Sequence, residues 1–336
     1  MDTKEMLCEM ANYTSISGSE SGLASYLANL LQEKCDTVTI DAFGNVIGIK
    51  KGKSGNRVLL DAHMDEVGLM VREILPNGTL AFIPIGGIDP RILPSCEVMV
   101  HGKRELLGVI GAKPPHLQTQ GEDQKTLPVE SLSIDIGYEK PSDLVRVGDK
   151  VSILSGFSEL QNGCFSGKAM DNRCGVAALL RTMDLLSTCE HEVVVLFSVQ
   201  EELGCIGAAA GAIDKNPDLA IVVDVTHGMT PDGSVERSFP LGSGVAVCTG
   251  PNIHRSFFQR ILETAQKEGI SYTIEVEGGD TGTNAGVIQL SCEGVPTVLL
   301  SIPLRYMHTP SEVVQLSDID DTARLIVSFL GGDLSC

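Results

Sequence analysis

The chain has 336 residues, 43% of them hydrophobic and only 4% aromatic with no Trp, and it carries 25 Lys and Arg against 44 Asp and Glu for a net charge of −19. That length suits two domains rather than one core, and the acidic balance excludes nucleic acid and anionic membranes as partners, since there is no basic surface to release their counterions. The same surface suits cationic metals and the ammonium end of a peptide.

The segment Met1–Met10 is charged and amphipathic, with no apolar stretch or cleavage site of a secretory leader. No apolar run is long enough to span a bilayer. Ten cysteines without a CxxC pair read as reduced thiols of a cytoplasmic protein, Cys174 and Cys205 included. Ser19 is placed to cap a helix whose apolar residues Leu23, Tyr26, Leu27, Leu30 and Leu31 recur at helical spacing. Strands follow at Thr37–Ile40 and Val46–Ile49 around the turn residues Gly44 and Asn45, and a third begins at Arg57–Leu60 and runs into Asp61-Ala62-His63-Met64-Asp65.

Between Val67 and Phe165 the texture changes to short strands, at Val67–Leu75, Thr79–Ile85, Cys96–His101, Leu106–Gly111, Leu132–Ile136 and Lys150–Leu154, broken by Gly- and Pro-bearing turns. This predicts a small β barrel or sandwich, with a polar loop over Lys113–Glu130. After Lys168 the α/β alternation returns. Asp171 or Asn172 opens a helix through Leu186, followed by strand Val193–Val199, helix Ile206–Ile213, strand Leu219–Val223, helix Ser256–Glu268, strand Val295–Ile302 and helix Ile319–Leu330. Continuous apolar strands alternating with helices imply a mixed α/β fold, a largely buried sheet with helices on both faces. The all-β block reads as an insertion. The expected division is a discontinuous α/β domain, 1–66 and 166–336, around an inserted β-barrel-like domain, 67–165.

Metal-competent side chains recur where strands end or helices begin: His63 and Asp65, Asp171, Glu201 and Glu202, Asp224, and His308. The carboxyl ends of strands in open α/β sheets form the ligand crevice, so residues far apart in sequence can converge there. Taken singly each is ordinary, an N-cap or a solvated pair. Two histidines with several carboxylates suit Zn²⁺, Co²⁺ or Mn²⁺, and the carboxylates are too many for one closed structural zinc, which favours a two-metal hydrolytic site.

The runs Asp61-Ala62-His63-Met64-Asp65-Glu66-Val67-Gly68, Ala169-Met170-Asp171-Asn172-Arg173-Cys174-Gly175, Gln200-Glu201-Glu202-Leu203-Gly204, Asp224-Val225-Thr226-His227-Gly228 and Arg305-Tyr306-Met307-His308-Thr309-Pro310 resemble the tetrahedral, dodecameric aminopeptidases, a family of dinuclear metallopeptidases that includes glutamyl and leucyl aminopeptidases and proteins labelled cellulase M. The segment Gly108–His116 is similar to the family's inserted module. The resemblance implies a zinc-peptidase-like core and two divalent metal ions per subunit, one held by His63, Asp171 and Asp224 and the other by Asp171, Glu202 and His308. It implies Glu201 as general base and Asp65 orienting His63, a second carboxylate that fixes the imidazole tautomer. It also implies short peptides with a free N-terminus as substrates, and a homododecamer in which the inserted domain serves oligomerisation and substrate access. Where the family commonly has Asp, this chain has Asn284, a departure that bears on substrate preference.

Arg305 and Tyr306 either position substrate or brace their loop. His116, His191, His227 and His254 are not expected to be ligands. Competing readings are a related metal-dependent amidase or deacetylase, a glycoside hydrolase with two carboxylates flanking the bond, and a non-catalytic assembly protein. Scarce aromatic platforms and paired histidines speak against the second, and the complete set of ligands and base against the third.

Overall fold

The computed structural model of the chain describes residues 1–53, 55–117, 126–231, 233 and 237–334. Helix α1 (Thr3–Met10) opens on a capping box, in which Asp2 accepts from the Glu5 amide and Glu5 from the Asp2 amide. Helix α2 (Ser21–Gln32) buries Leu23, Leu27 and Leu31 as their spacing predicts, but Ser19 does not cap it; Glu20 precedes the helix without a side-chain cap. The preceding backbone is engaged elsewhere, with Ser17 and Glu66, and Ser15 and Glu66, joined main chain to main chain. Strands β1 (Thr37–Ile40) and β2 (Val46–Lys50) form an antiparallel pair. Between them the Asp41 carboxylate accepts the amides of Phe43, Gly44 and Asn45.

Strand β3 (Arg57–His63) carries the chain to a separate closed barrel of β4 (Gly68–Ile74), β5 (Leu80–Ile85), β6 (Glu97–His101), β7 (Glu105–Ile110), β8 (Ile134–Asp135) and β9 (Lys150–Ile153), closed in the order β4-β5-β8-β7-β6-β9. Alternate residues fill its own small core, among them Leu69, Val71, Leu80, Phe82, Val98, Val100 and Val151. The expected loop Lys113–Glu130 lies partly outside the described residues.

The chain then returns to the first sheet. Strands β10 (Ser158–Glu159) and β11 (Cys164–Gly167) join its far edge, and helix α3 (Met170–Leu185), β12 (Glu192–Ser198), α4 (Ile206–Lys215), β13 (Leu219–His227), β14 (Val245–Thr249), α5 (Arg255–Glu268), β15 (Tyr272–Val276), α6 (Ala285–Ile288), β16 (Thr297–Arg305), β17 (Glu312–Gln315) and α7 (Leu316–Leu330) follow. The result is an 11-stranded mixed sheet in the order β1-β2-β12-β3-β13-β16-β17-β11-β10, with β14 paired to β16 and β15 to β14. Its centre, β12-β3-β13-β16, is parallel throughout, so four carboxyl ends open on the same side. These strands are buried nearly end to end, and helices cover both faces of the sheet. Strands β10, β11, β14, β15 and β17 were not anticipated; in β15 and β17 a buried Glu (Glu275, Glu312) breaks the alternation that marks a strand.

One ion cluster ties the residue where the barrel segment leaves the sheet to the segment between β11 and α3. Glu66, just past β3, accepts from Lys168 Nζ at 2.6 and 2.8 Å, and lies 3.2 Å from a guanidinium nitrogen of Arg173 on α3. The same nitrogen donates to the Tyr13 carbonyl at 2.7 Å. Removing the anion strands the buried Arg173 and the half-buried Lys168, and losing one partner of a buried pair costs on the order of 3–5 kcal/mol. Glu66→Ala is therefore expected to lower the denaturant midpoint markedly, a shift read by equilibrium unfolding. An unchanged midpoint would mean that the cluster does not hold the two segments together.

Candidate metal centre

Histidine His63 ends β3, Asp224 lies on β13 three residues before its end, Glu201 and Glu202 follow β12, Asp171 sits at the irregular start of α3, and His308 lies in the turn between β16 and β17. All six line one cavity. Asp171 does not cap its helix: its backbone and that of Asn172 are non-helical. Asn172 takes the capping part instead, its Oδ1 accepting from the Gly175 amide at 2.9 Å while its amide donates to the Val223 carbonyl at 2.8 Å. The Asp171 carboxylate is thereby left free to point inward.

The two Asp171 oxygens face two different imidazoles. Oδ1 lies 3.0 Å from His63 Nε2, and Oδ2 lies 3.1 Å from His308 Nε2. His308 Nε2 is also 3.1 Å from Glu202 Oε1, and His63 Nε2 is 3.8 Å from Asp224 Oδ1. The outer nitrogens are committed: His63 Nδ1 faces the Asp65 carbonyl at 3.2 Å, and His308 Nδ1 faces the Gly87 carbonyl at 2.6 Å. A carbonyl can only accept, so each Nδ1 carries the proton and each Nε2 of a neutral ring presents a lone pair to a carboxylate oxygen. Two acceptors at that distance need positive charge between them, either a proton on Nε2 or a bound cation.

The electrostatics follow. Burial works against the charged imidazole of His63, but its hydrogen bonds to Asp171 and Asp65 raise its pKa well above the ordinary histidine value. His308 is likewise opposed by burial and pushed up to about 11 by Asp171 and Glu202. Burial drives Glu201 up to about 7 against the pull of His63, with Glu202 and Asp171 adding repulsion, and Asp224 is raised well above the carboxylate range, also by burial. Burial likewise works against the charged form of Asp171, but its bonds to both histidines hold it below the ordinary value. The raised values keep protons among crowded carboxylates, where they offset negative charge. Within 4.8 Å of one another stand the donor sets His63, Asp171 and Asp224; Asp171, Glu202 and His308; and His63, Glu201 and Glu202. Oxygen and imidazole donors oriented from behind by carbonyls fit divalent cations of the borderline class.

Asp65 stands behind this wall, buried. Its carboxylate accepts the Glu201 amide at 2.9 Å, the Glu202 amide at 3.2 Å and the Ser17 hydroxyl at 2.6 Å, and lies 3.4 Å from His63 Nδ1. Two supporting groups escaped sequence reasoning. Glu312, buried on β17, accepts the His308 amide at 2.7 Å and the Asp171 amide at 3.3 Å. Gly87, on the barrel side, supplies the carbonyl for His308, and a side chain there would meet the His308 ring at 3.3 Å. A lone Glu four residues after a histidine and a Gly-Gly turn carry no distinguishing signal. Arg305 donates from Nε to the Met229 carbonyl at 2.6 Å, which braces the loop. His227 lines the cavity without joining a donor set. Cys205 contacts Glu201 at 3.5 Å, and Cys174 is buried.

The model for the M42 glutamyl aminopeptidase family matches residues 44–325. A lysyl aminopeptidase of Pyrococcus furiosus is 32% identical over 97% of this chain and 96% of its own length. The solved structure of an aminopeptidase from the archaeon Desulfurococcus kamchatkensis superposes with a TM-score of 0.91 at 33% identity, over 98% of this chain and 94% of that one. The TET1 peptidase of Pyrococcus horikoshii, described as assembling into a tetrahedron or a large octahedral shell, superposes with a TM-score of 0.86 at 32% identity, over 99% and 100% of the two chains.

Asn284 lies apart from the cavity wall. It is buried under the sheet, and its amide donates to Asp61 Oδ2 at 2.8 Å and to the Ser198 hydroxyl at 2.9 Å. Burial raises Asp61 to about 7 against those two bonds. Asn284→Asp would set a second carboxyl against the first, and the pair would have to share a proton. An acid whose pKa is raised on folding stabilises least at high pH, because the folded state must then give up protons that it binds more tightly than the unfolded state. The variant is therefore expected to match the parent protein at about pH 4, near the unfolded carboxyl value, and to become less stable than it by about 1–3 kcal/mol as pH rises from there to 7, with the ranking of substrates unchanged. Unfolding curves at both pH values test this. A changed ranking with unchanged stability would place residue 284 in the cavity.

Proposed function

This chain belongs to the M42 glutamyl aminopeptidase family, and from that membership we propose that it is a two-metal enzyme removing the first residue from short peptides with a free N-terminus. Membership makes it a hydrolase of the aminopeptidase class; the metal count and the parts played by single residues are our reading. The observation that carries it is Asp171, whose two oxygens face the Nε2 atoms of two different histidines at 3.0 and 3.1 Å. In this reading His63, Asp171 and Asp224 hold one divalent ion and Asp171, Glu202 and His308 the other, with Zn²⁺ or Co²⁺ preferred and Mn²⁺ the third choice. These residues would hold divalent ions, whose chemistry there would be to polarise a carbonyl oxygen and acidify water.

Glu201 is the proposed general base. It stands in the same wall beside His63 and Glu202 without being needed for either proposed donor set, a position that suits a group taking a proton from attacking water and passing it to the leaving amine. Asp65 fixes the Glu201–Glu202 turn through both amides and sits against His63, and Glu312 and Gly87 hold the Asp171 and His308 segments in place.

Residues 1–66 and 166–336 are read as the catalytic domain and 67–165 as an inserted domain for oligomerisation and substrate access. The pairing of β10 and β11 with the large sheet supports a second junction slightly earlier, just after β9. Self-association into a homododecamer is supported by the closed shells described for the TET1 relative and by exposed apolar residues of the barrel segment, Leu107, Val109 and Val147. A cytoplasmic location is supported by the unpaired state of all described cysteines; among the described residues no helix is long and apolar enough to cross a membrane.

Glu201 and Glu202 should fail differently. Glu201→Gln is expected to keep its metal while turnover falls by ~10²–10⁴. Glu202→Gln is expected to lose or loosen one ion, with partial recovery in excess metal. Elemental analysis beside steady-state kinetics decides; loss of metal from Glu201→Gln with both ions kept by Glu202→Gln would reverse the assignment. Twelve chains of 35.7 kDa would weigh ~430 kDa under closed symmetry, and a monomer by light scattering in the presence of metal would overturn the assembly.

A further inference from the structure

Two cavities meet at the proposed metal donors. The narrower, about 280 Å³, runs from those donors to Glu275, and the wider, about 840 Å³, shares Glu201, Glu202, Gly282, Thr283 and His308 with it. In a peptide positioned for cleavage of its first bond, the narrow cavity has room for one side chain and the wide one for the remainder.

The far wall of the narrow cavity is built around a carboxylate that the proposed chemistry does not use. Glu275, on β15, is buried and receives one hydroxyl on each oxygen: Thr226 of β13 donates to Oε1, and Ser301 of β16 donates to Oε2 at 2.8 Å. Burial raises the pKa of Glu275 and the neighbouring Glu277 adds to this, while the two donated hydrogen bonds favour its ionised form. Each oxygen keeps a lone pair for a further donor. Glu277, two residues on and half-buried, lines the same cavity, with Leu299 and Met307 as its apolar lining. Six carboxylates border this space, and among the described lining residues there is no Lys or Arg. Two divalent ions would offset the charges of Asp171, Glu201, Glu202 and Asp224, leaving Glu275 and Glu277 uncompensated.

We propose that Glu275 and Glu277 form a subsite for a cationic side chain, so that the enzyme prefers peptides beginning with Lys or Arg and disfavours those beginning with Glu. The aliphatic stem of such a residue passes Leu299 and Met307, and its charged head reaches the two carboxylates. The inference rests on the aminopeptidase reading. It also departs from the glutamyl preference in the family's description.

The test compares lysyl, arginyl, norleucyl and glutamyl p-nitroanilides with metal-loaded enzyme. Norleucine keeps the lysine stem and lacks the ammonium group, so the lysyl-to-norleucyl ratio of kcat/KM isolates the charge. A charged hydrogen bond predicts a ratio of ~10 or more, with the glutamyl substrate poorest. Glu275→Gln preserves shape and still bonds Thr226 and Ser301; it and the half-exposed Glu277→Gln should each lower the ratio, and the double variant should bring it to ~1. Calorimetric binding of L-lysinamide against L-norleucinamide reads the same preference without turnover, so an enzyme that cleaved no anilide would count against the aminopeptidase reading while the subsite would still be decided by binding. A norleucyl preference in the parent enzyme, by rate or by binding, or a ratio unmoved in the double variant, overturns the proposal.

Discussion

Charge repulsion among carboxylates crowded at the ends of four parallel strands is the constraint on which the rest of this structure depends. Asp171, Glu201, Glu202 and Asp224 share one wall with two imidazoles whose outer nitrogens are already committed to carbonyls. Carboxylates this close cannot all ionise without positive charge among them. The protein holds them there because the strands beneath are buried on both faces and cannot shift, so the repulsion is relieved by a cation or by protons rather than by movement.

The crowding also dictates how the surrounding backbone is made. Ala169, Gln200, Cys205, Tyr306 and His308 all take positive φ, the left-handed region that side chains other than glycine rarely enter. Each lies within a few residues of a proposed ligand or base. Such strain persists only where the surroundings over-determine it, and here Asp65 and Glu312 supply the surplus of bonds by accepting amides from three of the donor-bearing segments.

The barrel is part of this arrangement. It leaves the sheet at Glu66, and Glu66 is ion-paired beside the site with Lys168, which follows the returning strand β11. It also lends the Gly87 carbonyl to His308. A module that could have been a passive insertion therefore completes the orientation of one proposed ligand, which couples its seating on the sheet to the geometry of the centre.

How much of this was legible beforehand depends on the range over which each interaction acts. Elements with unbroken periodicity, such as α2, β12, β13 and α7, are readable from their own residues, because burial on one or both faces imposes the pattern locally. His63, Asp171, Glu201, Glu202, Asp224 and His308 were also visible, since each sits where a strand ends or a helix begins, and that position alone nominates a crevice residue. The tertiary structure alone decided what pairs with what. Ser19 was drawn off its helix by bonds to the Asp65–Glu66 turn in the residues just before it, Asn284 was carried beneath the sheet to Asp61, and Glu312 and Gly87 became supports through contacts with residues that lie far off in sequence or, for His308, across a turn. Glu275 is the plainest case. Nothing near it in the chain marks it, and its place in the cavity exists only because β13, β16 and β15 bring Thr226, Ser301 and Glu275 together from separate strands. Local pattern records which face of an element is buried; the partner of a buried polar group is set by strand order, and strand order is written in no single segment.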